Sequence, residues 1–408
     1  MGERFFFESV DENLVVIDLH DWEFAAFNGS AAYAWLSLLD NPMPERDLVA
    51  AMAAAFGVDP EQVKAEVAPL LGDWTRRGWL ARVSDAISIA SEAPRPAIAR
   101  YESLSPSRFQ AATAGSTVGW SGRLDFLGTA VGVTIHVHAR PMHPDFLPRA
   151  SAFLSGVPEA SGKVEESIDC HVMDDAIYLR RGDQCVATRD VVSALSRLVL
   201  WCFYLAYGRS GLLATLHAAA VGRPDGMVIM PGVSGAGKST LTAYLAARGW
   251  SYGGDDIVGL ALERDDDGVG MARVLPFPSA ISVKAGSVPL LAPFYPGLAD
   301  LPEVRYDLKK ARFLGMPRAS LVAAGRRERT PRAMVFPRYA QSAQTSLTEL
   351  SATDALTELV SSGIRTGEVL EAPALAELFG FFRAIPKYRL VYSSLPEAET
   401  CLEKLVQP

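Results

Sequence analysis

The sequence has little cysteine, no excess of positive charge and no long apolar run. Its four cysteines are far apart and share no spacing typical of metal ligands, which indicates reduced thiols. The net charge of −8 and the lack of a basic stripe with interleaved aromatic residues argue against nucleic acid as a partner. The longest strongly apolar run, over residues 198–207, is about half of the ~20 residues that a membrane span needs. No basic leader followed by a long apolar stretch is visible, so we expect a soluble cytoplasmic protein that associates with no membrane.

The first part of the chain has the pattern of a small domain. Half of the 408 residues are apolar, which is enough for two or three domains with separate cores. Within residues 1–83 we predict two strands and three helices, over residues 13–19, 23–27, 30–39, 44–56 and 60–77. The third helix has the strongest signals, because Asp59 is a natural N-cap, Pro60 occupies the first helical position and Gly78 follows the end.

Composition divides the remainder of the chain. Residues 84–121 are rich in Ala, Ser, Pro and Gly, and we interpret them as a linker with room for partial order. Residues 122–408 are predicted to form a second domain, with an N-terminal subregion over 122–210 and a catalytic core over 211–408. Its predicted elements are strands over 124–127, 131–138, 213–221 and 227–230, a hairpin of strands over 176–181 and 184–189 joined at Gly182 and Asp183, and a helix that Asp190 caps and that runs to about residue 207.

One short motif of the second domain is a specific signal for phosphate binding. The pattern G-x-x-x-x-G-K-[ST] is matched by Gly232, Val233, Ser234, Gly235, Ala236, Gly237, Lys238 and Ser239, with Thr240 following. The apolar run 227–230 precedes the motif and a helical pattern follows it, which places the motif at a helix N-terminus. There the glycines allow successive backbone N–H groups to point at one anion. Lys238 would then neutralise the β- and γ-phosphates of a nucleotide, and Ser239 would bind Mg²⁺.

Absent and present motifs narrow the class of P-loop protein. No asparagine follows Asn41, so a guanine-reading Asn-Lys-x-Asp segment is excluded, and no Ser-Gly-Gly signature of transporter ATPases occurs. Asp255 and Asp256 follow two glycines, one helix beyond the P-loop. One carboxylate could serve Mg²⁺ and the other could accept a proton from an incoming hydroxyl, a division that suits phosphoryl transfer. A strand end with two solvated aspartates is the alternative.

The chain here resembles the HPr serine kinase family, whose fold is related to phosphoenolpyruvate carboxykinase. The likeness is in LHAA over 216–219, in the P-loop, and in RGW and GDD over 248–256. The resemblance implies an α/β P-loop kinase domain, α+β over the whole chain, with ATP and Mg²⁺ as cofactors.

The same resemblance assigns roles to residues. It implies Lys238, His217, Asp255 and Asp256 as catalytic residues, with Asp255 favoured as the base, and Ser239 and Asp256 as Mg²⁺ ligands. His217 could instead be a core histidine bonded to backbone.

The chain departs from the bifunctional HPr enzymes. It has no good copy of the segments that support their reverse reaction, which indicates a kinase-only branch. Lys284 and Arg338 are candidate cations for the transferred phosphoryl group, and either could equally be a surface charge. HPr kinases are oligomeric, so the resemblance also allows a homo-oligomer.

Residues 1–83 resemble the PqqD-like peptide-binding domains, which are winged-helix-like and act as recognition elements in ribosomal peptide modification. The likeness is in FAAFNGSAAYAW over 24–35, the capped helix, and GWL over 78–80. It implies a groove between the strand from Trp22 to Phe27 and the helix over 60–77, where the leader of a precursor peptide adds a strand. A small accessory or dimerisation domain is the alternative.

Together the two resemblances predict an ATP-dependent kinase of a Ser or Thr hydroxyl in a ribosomally made precursor peptide, similar to kinases of lasso-peptide clusters. A tethered leader-binding domain would raise the effective concentration of the acceptor. Two other hypotheses stay open: a kinase of an HPr-like carrier protein or small hydroxylated metabolite, and a non-catalytic nucleotide-binding scaffold.

Overall fold

The computed structural model describes residues 4–18, 23–90, 101–164, 166–208, 212–264, 270–306, 309–323, 328–362, 364–365 and 372–407, which form a mixed α/β structure. The chain divides into two compact units. The first contains residues 1–98 and 351–357, and the second contains residues 99–350 and 358–408. All four cysteines are free.

The first unit contains two small sheets and three helices. Its strands are β1 (Phe5–Val10), β2 (Asn13–Asp18), β3 (Glu23–Phe27), β4 (Met43–Pro44), β5 (Leu80–Val83) and β6 (Ala86–Ile89). Its helices are α1 (Gly29–Asp40), α2 (Glu45–Phe56) and α3 (Pro60–Arg76). The sheets have the orders β1-β2-β3 and β4-β6-β5. The predicted strands and helices are confirmed, whereas β1 and the second sheet were not predicted.

Local signals account for the helix ends, and aromatic side chains fill the core of this unit. The Asp59 carboxylate accepts from the N–H of Glu61 at 2.9 Å and caps α3. Gly57 ends α2 in the left-handed region at φ 65°, as a helix-terminating glycine commonly does. Trp74 on α3 lies 4.9 Å from Phe27 at the end of β3, between ring centroids, and this contact joins the strand to the helix.

The second unit begins with a six-stranded sheet in the order β7-β12-β11-β10-β9-β8. Its strands are β7 (Glu102–Leu104), β8 (Thr117–Phe126), β9 (Thr129–Val137), β10 (Ser167–Val172), β11 (Ile177–Arg181) and β12 (Gln184–Thr188), and its helices are α4 (Pro106–Ala112), α5 (Phe146–Leu154) and α6 (Val191–Tyr207). The predicted hairpin at β11 and β12 is confirmed, as is the Asp190 cap of α6, which accepts from the N–H of Ser193 at 2.6 Å. None of the helices in the described ranges is both long and apolar enough to cross a membrane.

The stretch 84–121, interpreted as a linker, contains regular structure in its described part. It includes β6, β7, α4 and the start of β8. The Ala, Ser and Pro composition suggested a linker and concealed these elements. The helix α4 forms because Ser105 caps it, Pro106 occupies its first turn and the buried Phe109 anchors it.

The remainder of the second unit contains the P-loop. Its strands are β13 (Leu212–Leu216), β14 (Ala218–Arg223), β15 (Gly226–Pro231), β16 (Ser251–Gly254), β17 (Val258–Arg264), β18 (Gly270–Leu275), β19 (Ile281–Lys284), β20 (Glu303–Tyr306), β21 (Lys309–Leu314), β22 (Pro331–Tyr339), β23 (Ser346–Glu349), β24 (Ile364–Arg365) and β25 (Lys387–Tyr392). Its helices are α7 (Lys238–Ala247), α8 (Val288–Leu291), α10 (Ala372–Ala384) and α11 (Leu395–Val406), and α9 (Ala352–Ser362) is divided between the two units. Short 3₁₀ helices lie at Ala285–Ser287, Leu298–Asp300 and Arg318–Ser320.

These strands form three sheets. The order β16-β14-β15-β22-β25-β23 is a mixed sheet in which β15, β22 and β25 run parallel. The orders β18-β17-β13-β24 and β19-β21-β20 are antiparallel. One face of α7 packs on the mixed sheet through fully buried Leu241 and Leu245.

The prediction of a single strand over 213–221 is wrong. The chain passes from β13 into β14 at His217, and these strands belong to different sheets. β13 pairs with β17, whereas β14 pairs with β15 and β16. An apolar run that is buried on both sides does not reveal such a switch, because its side chains suit either sheet.

Candidate functional site

The P-loop lies between β15 and α7, as predicted. β15 is buried throughout, and Gly235 and Gly237 both have φ 95°, a left-handed conformation that glycine adopts readily. The loop is tied to two strand ends: the N–H of Tyr339 donates to the Ala236 carbonyl at 3.0 Å, and the Tyr392 hydroxyl donates to the Gly237 carbonyl at 3.1 Å. The free N–H groups of the first turn of a helix favour an anion at this position.

Lys238 is buried within the loop that it follows. Its side chain is 5% exposed, and its ammonium donates to the Gly232 carbonyl and to Nε2 of His217 at 3.5 Å. Burial lowers the pKa of Lys238, and the charges of Asp255 and Asp256 oppose this fall. The ammonium therefore lies between the P-loop and the two carboxylates.

His217 connects the lysine to the aspartate pair. Its Nδ1 lies 3.0 Å from the Asp256 carbonyl oxygen, which can only accept, so Nδ1 carries the proton. Its Nε2 is then the acceptor for the Lys238 ammonium. The switch between β13 and β14 positions the imidazole here, so His217 is both backbone-bonded and part of the polar site.

Asp255 is fully buried directly after β16. In the part of the chain that the structure describes, neither of its carboxylate oxygens has a hydrogen bond of ordinary geometry, although the Ser239 hydroxyl and the Asp256 N–H lie close to it. Burial, and then the charge of Asp256, raise the pKa of Asp255 to about 7, while the nearby Ser239 hydroxyl and Lys238 ammonium oppose the rise. A buried carboxylate without such bonds is costly. The buried carboxylate of Asp255 is therefore a candidate for binding a ligand.

Asp256 has different surroundings from its neighbour. Its backbone is left-handed at φ 70°, a strained conformation for a residue other than glycine. Its side chain is half-buried and lines a cavity. Gly254 precedes the pair at φ 156°, and a Cβ there would lie 2.8 Å from the Phe277 carbonyl oxygen, so only glycine fits. With this backbone conformation, the carboxylates of Asp255 and Asp256 lie in different environments, one buried and the other beside the cavity.

The cavity beside Asp256 has a volume of about 320 Å³. Most of its lining is apolar and comes from α5, α6, β13, β21 and the residue after Asp256: Phe153, Leu195, Val199, Leu200, Leu216, Ile257 and Phe313. His217 and the polar or charged side chains of Arg149, Ser196, Thr215, Ser282 and Ser362 also line it, whereas no residue of the P-loop does. The cavity thus adjoins the polar site at Asp256 and His217.

The two candidate cations lie in different settings. The Lys284 ammonium donates to the Ser234 hydroxyl at 3.2 Å, so this side chain reaches the P-loop from the exposed end of β19. Arg338 instead pairs with Glu358 at 3.1 Å, and the same carboxylate accepts from Arg389. Arg338 is therefore engaged in an ion pair.

Several contacts of the loop were not predicted. Tyr339, Tyr392 and Ser287 touch it, and the Ser287 hydroxyl shares a hydrogen bond of 2.6 Å with that of Thr240. They lie 47 to 155 residues from their partners along the chain, and a lone tyrosine or serine carries no local signal of such a role. Among the described residues, no group of three or more His, Cys, Asp and Glu side chains could bind a metal ion.

The first unit places a strand edge beside a helix. β3 pairs with β2 on one side, and within the described ranges its other edge has no strand partner. Phe27 and Trp74 join β3 to α3. The predicted groove between the strand from Trp22 and the helix over 60–77 thus has its strand and helix in place, and Trp22 itself lies outside the described residues.

Comparison with known proteins bears on this unit. The family model of coenzyme PQQ synthesis protein D (PqqD) matches residues 13–80, from the start of β2 to the start of β5. The match confirms the PqqD-like character of the first unit. Because PqqD domains bind precursor peptides, it supports a peptide partner and a part in ribosomal peptide modification. No curated protein matches the chain significantly.

Proposed function

We propose that the protein is an ATP-dependent kinase that phosphorylates a Ser or Thr hydroxyl of a ribosomally made precursor peptide. One observation carries the proposal: the P-loop lysine, a histidine and two adjacent aspartates with different surroundings meet at the N-terminus of α7. Phosphoryl transfer needs positioning and charge neutralisation more than covalent chemistry, and these groups supply both.

The loop binds the phosphates of ATP. Its backbone N–H groups and the first turn of α7 face an anion, and the two lysines on either side of the loop, Lys238 and Lys284, neutralise its charge. The contacts of Tyr339 and Tyr392 keep the loop in one conformation, so little reorganisation is needed when nucleotide binds.

The residues beside the loop are suited to bind a Mg²⁺ ion that arrives together with the nucleotide. Hard cations prefer oxygen ligands, and Mg²⁺ at nucleotide sites takes one or two protein ligands and completes its shell with phosphate and water. Asp255 offers two buried oxygens without a hydrogen bond of ordinary geometry, and the Ser239 hydroxyl is close to it. When bound, the cation would neutralise charge on the transferred phosphoryl group.

Asp256 is the proton acceptor in this proposal. Its carboxylate adjoins the cavity where an acceptor has room, whereas Asp255 is enclosed beside Ser239 and Lys238. The substrate O–H bond breaks with its proton passing to Asp256, the oxygen bonds to the γ-phosphorus, and the bond from that phosphorus to the bridging oxygen of ADP breaks. The roles of the two aspartates are thus the reverse of those that the HPr kinase resemblance suggested.

Recruitment of the precursor is assigned to the first unit. The open edge of β3 next to α3 suits an extended leader that adds a strand by main-chain hydrogen bonds. The match of residues 13–80 to PqqD supports this part of the proposal.

Transfer of labelled phosphate from ATP to candidate precursor peptides tests the function. Asp256→Asn should lower kcat by roughly 10²–10⁴-fold, the range for loss of a general base, and Lys238→Ala, which removes a charge that stabilises the transferred phosphoryl group, should lower it by roughly 10²–10³-fold. Asp300→Asn, which changes an exposed aspartate outside the site, is the matched control and should retain full activity. Undiminished transfer by the two site variants would show that the site assignment is wrong.

A further inference from the structure

The apolar cavity next to Asp256 gives an acceptor room, but the proposed reaction does not say which group of the substrate fills it. It is lined by Asp256 and His217 at one end and by side chains of α6, including Leu195, Val199 and Leu200, along one wall. We infer that this cavity binds a large apolar side chain of the substrate, one next to the residue that is phosphorylated. The inference rests on the proposed kinase function.

Geometry assigns the cavity to the acceptor and not to ATP. The hydrogen-bonded series from Lys238 through His217 to Asp256 starts at the phosphate-binding loop and ends at the cavity. None of residues 232–240 lines the cavity. A group inside it therefore lies beside the carboxylate that accepts the proton, so a side chain next to the attacking residue can occupy it while the hydroxyl lies between Asp256 and the γ-phosphate.

Chemistry selects an apolar occupant. The lining side chains Phe153, Leu216 and Phe313 offer surface that gains free energy when it is removed from water. An acidic side chain there would lose hydration, and the attraction of Arg149, which also lines the cavity, is opposed by the repulsion of Asp256. The volume of about 320 Å³ is at the lower end of the roughly 300–1,000 Å³ range of small-ligand sites, so it suits one or two side chains.

Substrate kinetics with the full chain give the first test. The probes are capped peptides in which one serine is flanked, on either side in turn, by Leu, Ala or Asp. Replacing Leu by Ala at the preferred side should lower kcat/KM at least about tenfold, and Asp should lower it further, with KM for ATP unchanged. Equal rates for the three peptides, or an effect confined to KM for ATP, would overturn the inference.

A cavity-filling variant gives the second test. Ser196→Trp on α6 places a bulky ring in the cavity, so the preference for Leu over Ala should fall to within about twofold. Ser107→Trp, at an exposed position of α4, is the matched control and should keep the wild-type preference. A preference that survives in both variants contradicts the assignment.

Photo-crosslinking separates this inference from the kinase proposal. A capped peptide with benzoylphenylalanine beside its serine should label α6 near Leu200, or Phe313, whether or not phosphate is transferred. Labelling there without transfer would refute the kinase activity and keep the cavity assignment. Transfer with labelling elsewhere, or the absence of labelling at millimolar peptide, would refute the cavity assignment.

Discussion

At the scale of single residues, the burial of Asp255 has a measurable effect on stability. Its pKa is raised to about 7 in the folded protein, so the folded chain holds this proton more tightly than the unfolded chain does. The associated stability is complete below the ordinary aspartate pKa and is lost as the pH rises through about 7. An asparagine has no such dependence.

We therefore expect Asp255→Asn to raise the free energy of unfolding of the nucleotide-free protein at pH 8 by roughly 2–4 kcal/mol, with the gain shrinking toward pH 4. Urea denaturation across this range measures the difference. A gain of constant size at every pH would contradict the raised pKa. Asp300→Asn serves again as the exposed control.

The contact of Lys284 with Ser234 leads to a second expectation at this scale. Lys284→Ala removes a positive charge beside the loop, so KM for ATP should rise roughly tenfold, which corresponds to ~1.4 kcal/mol. Lys310→Ala removes a lysine that pairs with Glu303 on a neighbouring strand and should leave KM unchanged. Equal values of KM in both variants and the wild type would make Lys284 a surface charge without function.

At the scale of elements, the P-loop contains a matched pair of glycines. Gly235 and Gly237 share φ 95°, but a Cβ at Gly237 would lie 2.3 Å from the Tyr392 hydroxyl oxygen, whereas one at Gly235 would meet nothing within 4 Å. Both positions carry the same conformational strain, so their difference isolates the contact with β25.

We expect Gly235→Ala to destabilise the protein by ~1–3 kcal/mol, the cost of a left-handed alanine. Gly237→Ala should cost about 1–3 kcal/mol more because it overpacks the site. Adding Tyr392→Phe to Gly237→Ala should recover part of the difference. Thermal unfolding of the four proteins measures this, and equal losses for the two alanine variants would exclude the steric role of Tyr392.

Elements with local signals could be predicted, and those that depend on distant partners could not. The cap at Asp59, the glycine that ends α2 and the turn between β11 and β12 act within a few residues, so the sequence is sufficient to find them. The strand switch at His217 depends on which sheets β17 and β15 belong to. That information lies outside any local window.

In the candidate site, too, the features with a local sequence signal could be predicted and those that depend on packing could not. The P-loop and the aspartate pair are contiguous patterns and were found. The unequal surroundings of Asp255 and Asp256 arise from packing, which buries one carboxylate and leaves the other half-buried beside a cavity. Spacing along the chain cannot distinguish the two residues.

At the scale of the whole molecule, the proposed binding of a leader by the first unit predicts how the chain treats its substrate. Since a tethered second contact can raise apparent affinity by about 10²–10⁴-fold, a precursor with its leader should have a KM at least about 100-fold below that of the leaderless peptide, at similar kcat. Steady-state kinetics with both peptides measure the ratio.

Free leader supplies the control for that comparison. It should inhibit phosphorylation of the full precursor competitively and should leave the leaderless peptide unaffected. Equal KM values for the two substrates would remove the recognition role of residues 1–83.

The helix that follows the P-loop, α7, is supported by residues that are synthesised much later than the helix itself. The Glu399 carboxylate on α11 accepts from Tyr244 at 3.1 Å and from Trp250 at 3.3 Å, across 155 and 149 residues. β15 likewise lacks its parallel neighbour until β22 has been synthesised. At the usual ~5–20 residues per second of synthesis, α7 leaves the ribosome roughly 8–30 s before the contacts with Glu399 exist. The nascent helix therefore spends that interval without the support of Glu399.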